Sequence, residues 1–196
     1  MGKADQTRQL IIEKTAPVFN VKGYAGTSLS DITEATGLTK GSIYGNFENK
    51  DEVAIEAFAY NLQKVNAIFT AATGKHASCS AQLIAFAEVY ENFLHQPFPH
   101  GGCPVLNAAI EADDTHPQLK QCAAAALNGW KKMIAAIVKK GITDKEFKAS
   151  AIPDETAITL IALLEGGIMI AKLTGKRSYR QTISKAIRQL VQDLKK

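Results

Sequence analysis

Between Asn49 and Lys75 the apolar residues Ile55, Phe58, Leu62, Val65 and Phe69 recur at intervals of three, four, three and four. That recurrence is one face of a long α-helix and fits no β-strand, whose side chains alternate every second residue. The same three-four rhythm runs through nearly the whole chain, and strand alternation is missing, so folds that need a sheet to bind a dinucleotide are excluded. The reading is all-α with about nine helices. The first runs from about Asp5 to Lys22, closed by Gly23, with Pro17 a point of bending or breakage. Short helices follow, one after Ser28 to Gly37 and one from Thr39 to about Phe47, and Ser28 with Asp31 has the spacing of a capping box. The long helix starts after Asn49. Beyond it come helices from about Ser80 to His95, Pro104 to Ala112, Pro117 to Lys140, Pro153 to Leu173 and Ser178 to Lys196, the last with Ser178 and Gln181 at capping-box spacing.

With 196 residues, 46% of them hydrophobic and 21% charged, the chain is large enough to bury a core without metals or disulfides. Three cysteines, Cys79, Cys103 and Cys122, cannot pair completely, which points to a reducing, cytoplasmic setting. The N-terminus turns polar too soon for a signal peptide, and the most apolar stretch, Ile158 to Leu173, is interrupted by Glu165, Gly166 and Gly167. That stretch reads as a buried or interface helix, with no membrane partner. The net charge of +4 does not itself argue for nucleic acid, because the first 50 residues carry six basic and five acidic side chains. Any case for DNA must rest on motifs.

The segment TSLSDITEATGLTKGSIYGNFENK, Thr27 to Lys50, has two short helices about a tight turn at Gly37 and Leu38. This is the pattern of a helix-turn-helix, whose second helix enters the major groove and offers its first residues to the bases. Here those residues are Thr39, Lys40, Gly41 and Ser42. The small ones permit close approach to the DNA backbone. Tyr44 offers a hydroxyl to phosphate, and Lys50 stands in the first turn of the long helix, where the helix dipole disfavours a cation unless an external anion meets it. Phe19, Ile32, Ile43 and Phe47 belong to the core of this three-helix unit. Lys3, Arg8 and Lys14 on the first helix are either a solvated face or phosphate contacts.

In order and spacing, Phe19, Gly23, Tyr24, Thr27, Ser28, Asp31, Ile32, Gly41, Ile43, Tyr44, Phe47, Lys50 and Asp51 resemble the tetracycline-repressor (TetR) family of transcriptional regulators. The likeness is strong over about the first 55 residues and elsewhere is one of helix number and length. It implies a helix-turn-helix DNA-binding domain over residues 1–50 and an effector-binding and dimerisation domain over 51–196. It further implies that Thr27 and Ser28 hold phosphate, Lys40, Gly41 and Ser42 meet bases, and Tyr44 and Lys50 hold phosphate. Asn46 stands where many members carry His, and is either a further contact or surface. The implied function is a ligand-responsive repressor, released from a palindromic double-stranded DNA operator by a small-molecule effector.

Such a chain would place a ligand pocket among its fourth to eighth helices, and Phe69, Phe86, Tyr90, Phe93, Cys103, Asn107, Glu111 and Trp130 either line it or are core. Cys103 is a buried small residue or a redox or adduct sensor. Glu165, a carboxylate within IALLEGGIMI, has three readings: it pairs across a dimer with Lys185 or Arg188, faces the pocket, or is exposed. Ile158, Leu163, Glu165, Gly166, Ile170, Ile183, Ile187 and Leu190 are the candidate homodimer interface, with Gly166 and Gly167 allowing close helix approach. His95, His100 and Cys103 have irregular spacing for a metal, and neither a metal nor a cofactor is expected. No hydrolase, zinc-protease or nucleotide-loop motif supports an enzyme. Two other readings stand beside the first: a DNA-binding protein of the same fold governed by a protein partner or by no ligand, and a helical carrier or enzyme.

Overall fold

The structure is a computed structural model describing residues 2–93 and 97–196. Among the described residues it is all-α, with nine helices: α1 (Lys3–Gly26), α2 (Leu29–Thr36), α3 (Lys40–Tyr44), α4 (Lys50–Thr73), α5 (Cys79–Glu91), α6 (Pro104–Ala112), α7 (Pro117–Thr143), α8 (Pro153–Thr174) and α9 (Arg177–Leu194). Apart from one isolated antiparallel bridge, Phe147 to Lys195, these residues contain no β pairing. The chain divides into two compact units, Met1–Val65 with Pro99–Ala124, and Asn66–Phe98 with Ala125–Lys196.

Boundaries follow local chemistry where the chemistry is unambiguous. Ser28 caps α2 by accepting the Asp31 amide while Asp31 accepts the Ser28 amide, and Gly37 closes the helix with φ of 69°. Pro104 opens α6 and Pro153 opens α8. Four expectations are corrected. Pro17 neither breaks nor ends α1; the backbone leaves helical geometry only at Gly23, with φ 75° and ψ 175°. α3 stops at Tyr44 rather than Phe47. Ser178 does not cap α9, whose cap is Lys176 with no side-chain bond. The helix expected to reach about His95 is also shorter, ending at Glu91 with Asn92 as its cap, and His95 itself lies outside the described residues.

In the first unit, Ile11, Ile12, Ala16 and Phe19 of α1, Ile32 of α2, Ile43 of α3, Phe47, and Val53, Ala54 and Ala57 of α4 form one core, with Tyr24, Leu38 and Tyr60 packed around it. Every helix of the helix-turn-helix therefore anchors to α1 or α4 through large apolar side chains. α6 packs on α1 in the same unit.

In the second unit α5, α8 and α9 pack together, burying Leu83, Phe86 and Tyr90 against Leu160, Leu164 and Ile168 and against Ile187 and Val191. By length and composition α8 would suffice to cross a membrane, and its inward residues are part of this core. A β-carbon at Gly167 would overlap Tyr90 and Ile183, whereas one at Gly166 would have open space around it. The carboxylate of Glu146 accepts the Cys79 and Ser80 amides, both at 2.7 Å, and so closes the start of α5. Burial would raise its pKa, but the bonds from Ser80 and Cys79 outweigh that and hold it below the usual carboxylate value.

Candidate nucleic-acid interface

The α2-turn-α3 surface is built by capping bonds that turn its polar groups outward. Thr39 caps α3, its hydroxyl accepting the Ser42 amide at 3.2 Å. Thr39, Lys40, Gly41 and Tyr44 are exposed and Ser42 half-buried, on a helix pinned from beneath by the fully buried Ile43. Ser28 is exposed at the head of α2. The Lys40 ammonium stands 6.0 Å from the Tyr44 ring centroid, and that of Lys50 lies 4.3 Å over the ring of Tyr24. Asn46 donates its side-chain amide to the Ser42 carbonyl at 2.8 Å, which closes the end of α3.

Thr27 has a different task from the one its position suggests. It is fully buried, its hydroxyl donating to the Gly23 carbonyl at 2.6 Å, so it closes the α1–α2 turn instead of facing outward. Arg8 is likewise committed inward. Its guanidinium donates to the Asn46 carbonyl at 2.6 Å, to Glu52 at 2.7 Å and to Glu56 at 2.9 Å, and stacks 4.1 Å from the Phe47 centroid. Its choice between solvated face and phosphate contact was open in the sequence, and the structure makes it the tie between α1 and the start of α4.

Behind the surface lies a polar cluster that periodicity did not reveal. Tyr24 donates its hydroxyl to Asp51 in a short bond, and that bond, then burial, pushes the phenol pKa up to about 12. His116 is buried, meets the Tyr24 ring edge-on at 4.5 Å, accepts the Leu119 amide through Nδ1 at 3.2 Å and aims Nε2 at Asp51 from 3.9 Å. The signal for His116 was the pair His116-Pro117 at the start of a helix, where an imidazole nitrogen serves as a cap.

Asp31 is held well below the usual carboxylate range by Lys22 at 2.5 Å and by the Ser28 amide and hydroxyl. A depressed folded-state pKa contributes stability above the unfolded value of 3.8 that disappears as pH falls through the folded one. Asp31→Ala should therefore lower the thermal midpoint at pH 7, and the gap to the unsubstituted chain should narrow as pH drops below about 4. A gap independent of pH would show that the cap, not the charge, carries the effect.

The residues expected to line one effector pocket fall into three groups. Phe69, Phe86 and Trp130 meet in the second unit, Phe69 lying 5.0 Å from Phe86 and 5.7 Å from Trp130, around a cavity of about 10 Å³ also lined by Ile134, Ile161, Leu164 and Glu165. Trp130 donates its indole N–H to Asn66 at 2.7 Å. Tyr90 and Phe93 stack on each other at 5.8 Å instead of joining that group's cavity wall, and burial raises the Tyr90 pKa. Cys103, Asn107 and Glu111 belong to the first unit. There Asn107 and Glu111 border a cavity of about 30 Å³ with Phe19, Asn20, Tyr24, Phe58 and Asn61. Both cavities are on the scale of one or a few waters.

Of the interface candidates, Ile187 is corrected: it is fully buried within this chain and unavailable to a second copy. Ile158 is 45% exposed, and Leu163, Gly166, Ile170, Ile183 and Leu190 are half-buried. Further large apolar residues stand exposed on the same two helices, Met169 and Leu173 on α8 and Tyr179 on α9. Glu165 is half-buried and lines the small cavity beside Phe69, Phe86 and Trp130.

Residues 11–57 match the family model described as bacterial regulatory proteins, tetR family, and residues 79–187 match the tetracyclin repressor-like C-terminal domain. A TetR-family transcriptional regulator from Cytophaga hutchinsonii is 47% identical, with a TM-score of 0.94 over 100% of this chain and 98% of that one. A TetR transcriptional regulator from Chloroflexus aurantiacus is 35% identical, also with a TM-score of 0.94, over 100% and 98%. The transcriptional repressor DhaR of Mycobacterium sp. strain GP1 is 25% identical over 173 residues, 87% of this chain and 84% of that protein. With the all-α architecture and the exposed α2-turn-α3 surface already in place, these matches decide the matter: the chain belongs to the TetR family of transcriptional regulators.

Proposed function

We propose that the protein is a homodimeric repressor that binds a palindromic operator and is released by a small-molecule effector. The observation that carries the DNA half is the surface of α2 and α3. Ser28, Lys40, Gly41 and Tyr44 are exposed and Ser42 and Lys50 half-buried, around a core of Ile32, Ile43 and Phe47, so polar groups are presented on a rigid base. Ser28, Tyr44 and Lys50 take phosphates, while Lys40, Gly41 and Ser42 reach base edges; Thr27 supports them from below, and Asn46 secures the end of α3. The similarity to DhaR, itself a repressor, supports negative control.

One such head buries too little surface for tight specific binding, so two must act together in successive major grooves, about 34–36 Å apart or a multiple of it. The exposed apolar residues of α8 and α9, Ile158 among them, support pairing of two copies, with Ile187 left to the core. Equilibrium sedimentation should give a dimer at micromolar concentration; a monomer alone would sink the symmetric reading.

Phe69, Phe86, Trp130 and Glu165 support an effector site in the second unit that opens on binding, since a drug-sized ligand needs about 300 Å³ or more. The effector prefers a conformer in which the two heads no longer match the operator, with α4 carrying the change along its length. DNA must then weaken effector binding by the factor by which effector weakens DNA.

Lys50→Ala provides the sharpest residue-level test. The ammonium is already oriented by the Tyr24 ring, so its loss should weaken binding to all duplexes alike and reduce the salt slope by about 0.9. An unchanged slope would remove Lys50 from the phosphate contacts.

A further inference from the structure

Glu111 of α6 lies far along the chain from the helix-turn-helix, yet both its carboxylate oxygens are spent on the backbone that leads into it. Oε2 accepts the amide of Tyr24 and Oε1 accepts the amide of Ala25, each at 2.7 Å. These amides follow Gly23, where α1 leaves helical geometry with φ 75°. A β-carbon at Gly23 would overlap the Glu111 carboxylate, so the approach requires both the backbone conformation and the missing side chain of glycine. Two adjacent asparagines extend the attachment. Asn107 donates to the Asn20 carbonyl at 2.9 Å, and Asn20 donates to the His100 and Gly102 carbonyls at 2.7 and 2.9 Å.

What this carboxylate fixes is the frame of the DNA-facing groups. Tyr24 supports Lys50 through its ring and holds Asp51 through its hydroxyl. Two residues past Ala25 the buried Thr27 donates back to the Gly23 carbonyl, and Ser28 then starts α2. Gly23, Tyr24 and Ala25 thus form a short pivot on which both the start of α2 and the Lys50 side chain depend.

Resting on the DNA-binding reading above, we infer that Glu111 is a positioning residue for operator recognition: its bidentate carboxylate sets the α1–α2 turn and thereby places Ser28 and Lys50 against the DNA. A charged acceptor on two consecutive amides makes stronger, more directional bonds than a neutral one. In Glu111→Gln one of the two positions presents an N–H₂ donor to a backbone donor, so shape is kept and the clamp is lost.

The test uses the full chain and a duplex that it enriches from a random-sequence pool. Glu111→Gln should lower affinity for that duplex at least tenfold at a temperature well below its thermal midpoint, weaken scrambled duplex as well because Ser28 and Lys50 meet phosphates, and speed amide exchange at Tyr24 and Ala25 at least tenfold without DNA. Gly23→Ala should cost the native chain more affinity than it costs Glu111→Ala, because the second background has no carboxylate to overlap. Unchanged exchange at the two amides would overturn the clamp. Faster exchange with unchanged specific affinity, even with a lowered midpoint, would make Glu111 a purely structural brace and overturn the positioning role. If the native chain enriches no duplex at all, the DNA-binding reading fails first, and the inference falls with it.

Discussion

Phe47→Ala is expected to lower stability by about 3–5 kcal/mol and to abolish specific DNA binding, the largest effect foreseen in the first unit. Phe47 is 2% exposed and sits in the core shared by α1, α2, α3 and α4, so truncation leaves a cavity where the recognition helix is anchored. The ring is also the platform for the Arg8 guanidinium, which ties the Asn46 carbonyl to Glu52 and Glu56. Without it Arg8 loses a stacking partner worth about 0.5–2 kcal/mol. Chemical denaturation followed at pH 7 would measure the loss. A change below about 1 kcal/mol would mean that the site collapses easily and that Phe47 does not anchor α3.

Gly141→Ala is expected to cost about 1–3 kcal/mol in the second unit, and Gly129→Ala, in the same helix, to gain about 0.5–1 kcal/mol. The signs differ because the surroundings differ. A β-carbon at Gly141 would overlap the ring of Phe147, which is fully buried and whose own amide bonds back to the Gly141 carbonyl at 3.0 Å. Neither the ring nor the backbone can retreat without disturbing the turn that carries Glu146 to the start of α5. Gly129 is exposed and nothing lies within 4 Å of the added carbon, so only the better helix propensity of alanine remains. Thermal unfolding of the two variants side by side measures both; equal shifts would contradict the packing at Gly141.

These two glycines show where a single sequence stops being informative. Both occupy the same helix with the same intrinsic propensity, and only the fold brings Phe147 to one of them. The Ser28–Asp31 cap, the Gly37 stop and the starts at Pro104, Pro117 and Pro153 were legible because each is decided within a few residues. Ser178 had the same local spacing and failed, since α9 already begins at Arg177 and leaves Ser178 inside the helix. Pro17 is a point of bending or breakage by local chemistry, yet α1 passes it without a break.

The candidate site divides along the same line. The exposed face of α2 and α3 was readable from spacing and family resemblance, because a short amphipathic unit has only one apolar side. The burial of Thr27 depends on the turn at Gly23, and the partition of the aromatics into separate groups depends on helix packing across the chain. Asn107 and Glu111, four residues apart on α6, fall on one face by spacing alone. That their target was the backbone of α1 could not be read from α6.

The most direct measurement is selection of duplexes from a random pool by the purified chain, followed by titration of the enriched and a scrambled sequence at two salt concentrations. The account predicts an enriched inverted repeat, bound by a dimer with affinity that falls steeply with salt, and a scrambled duplex bound far more weakly. Equal binding to both sequences, or no binding even at low salt, would contradict it.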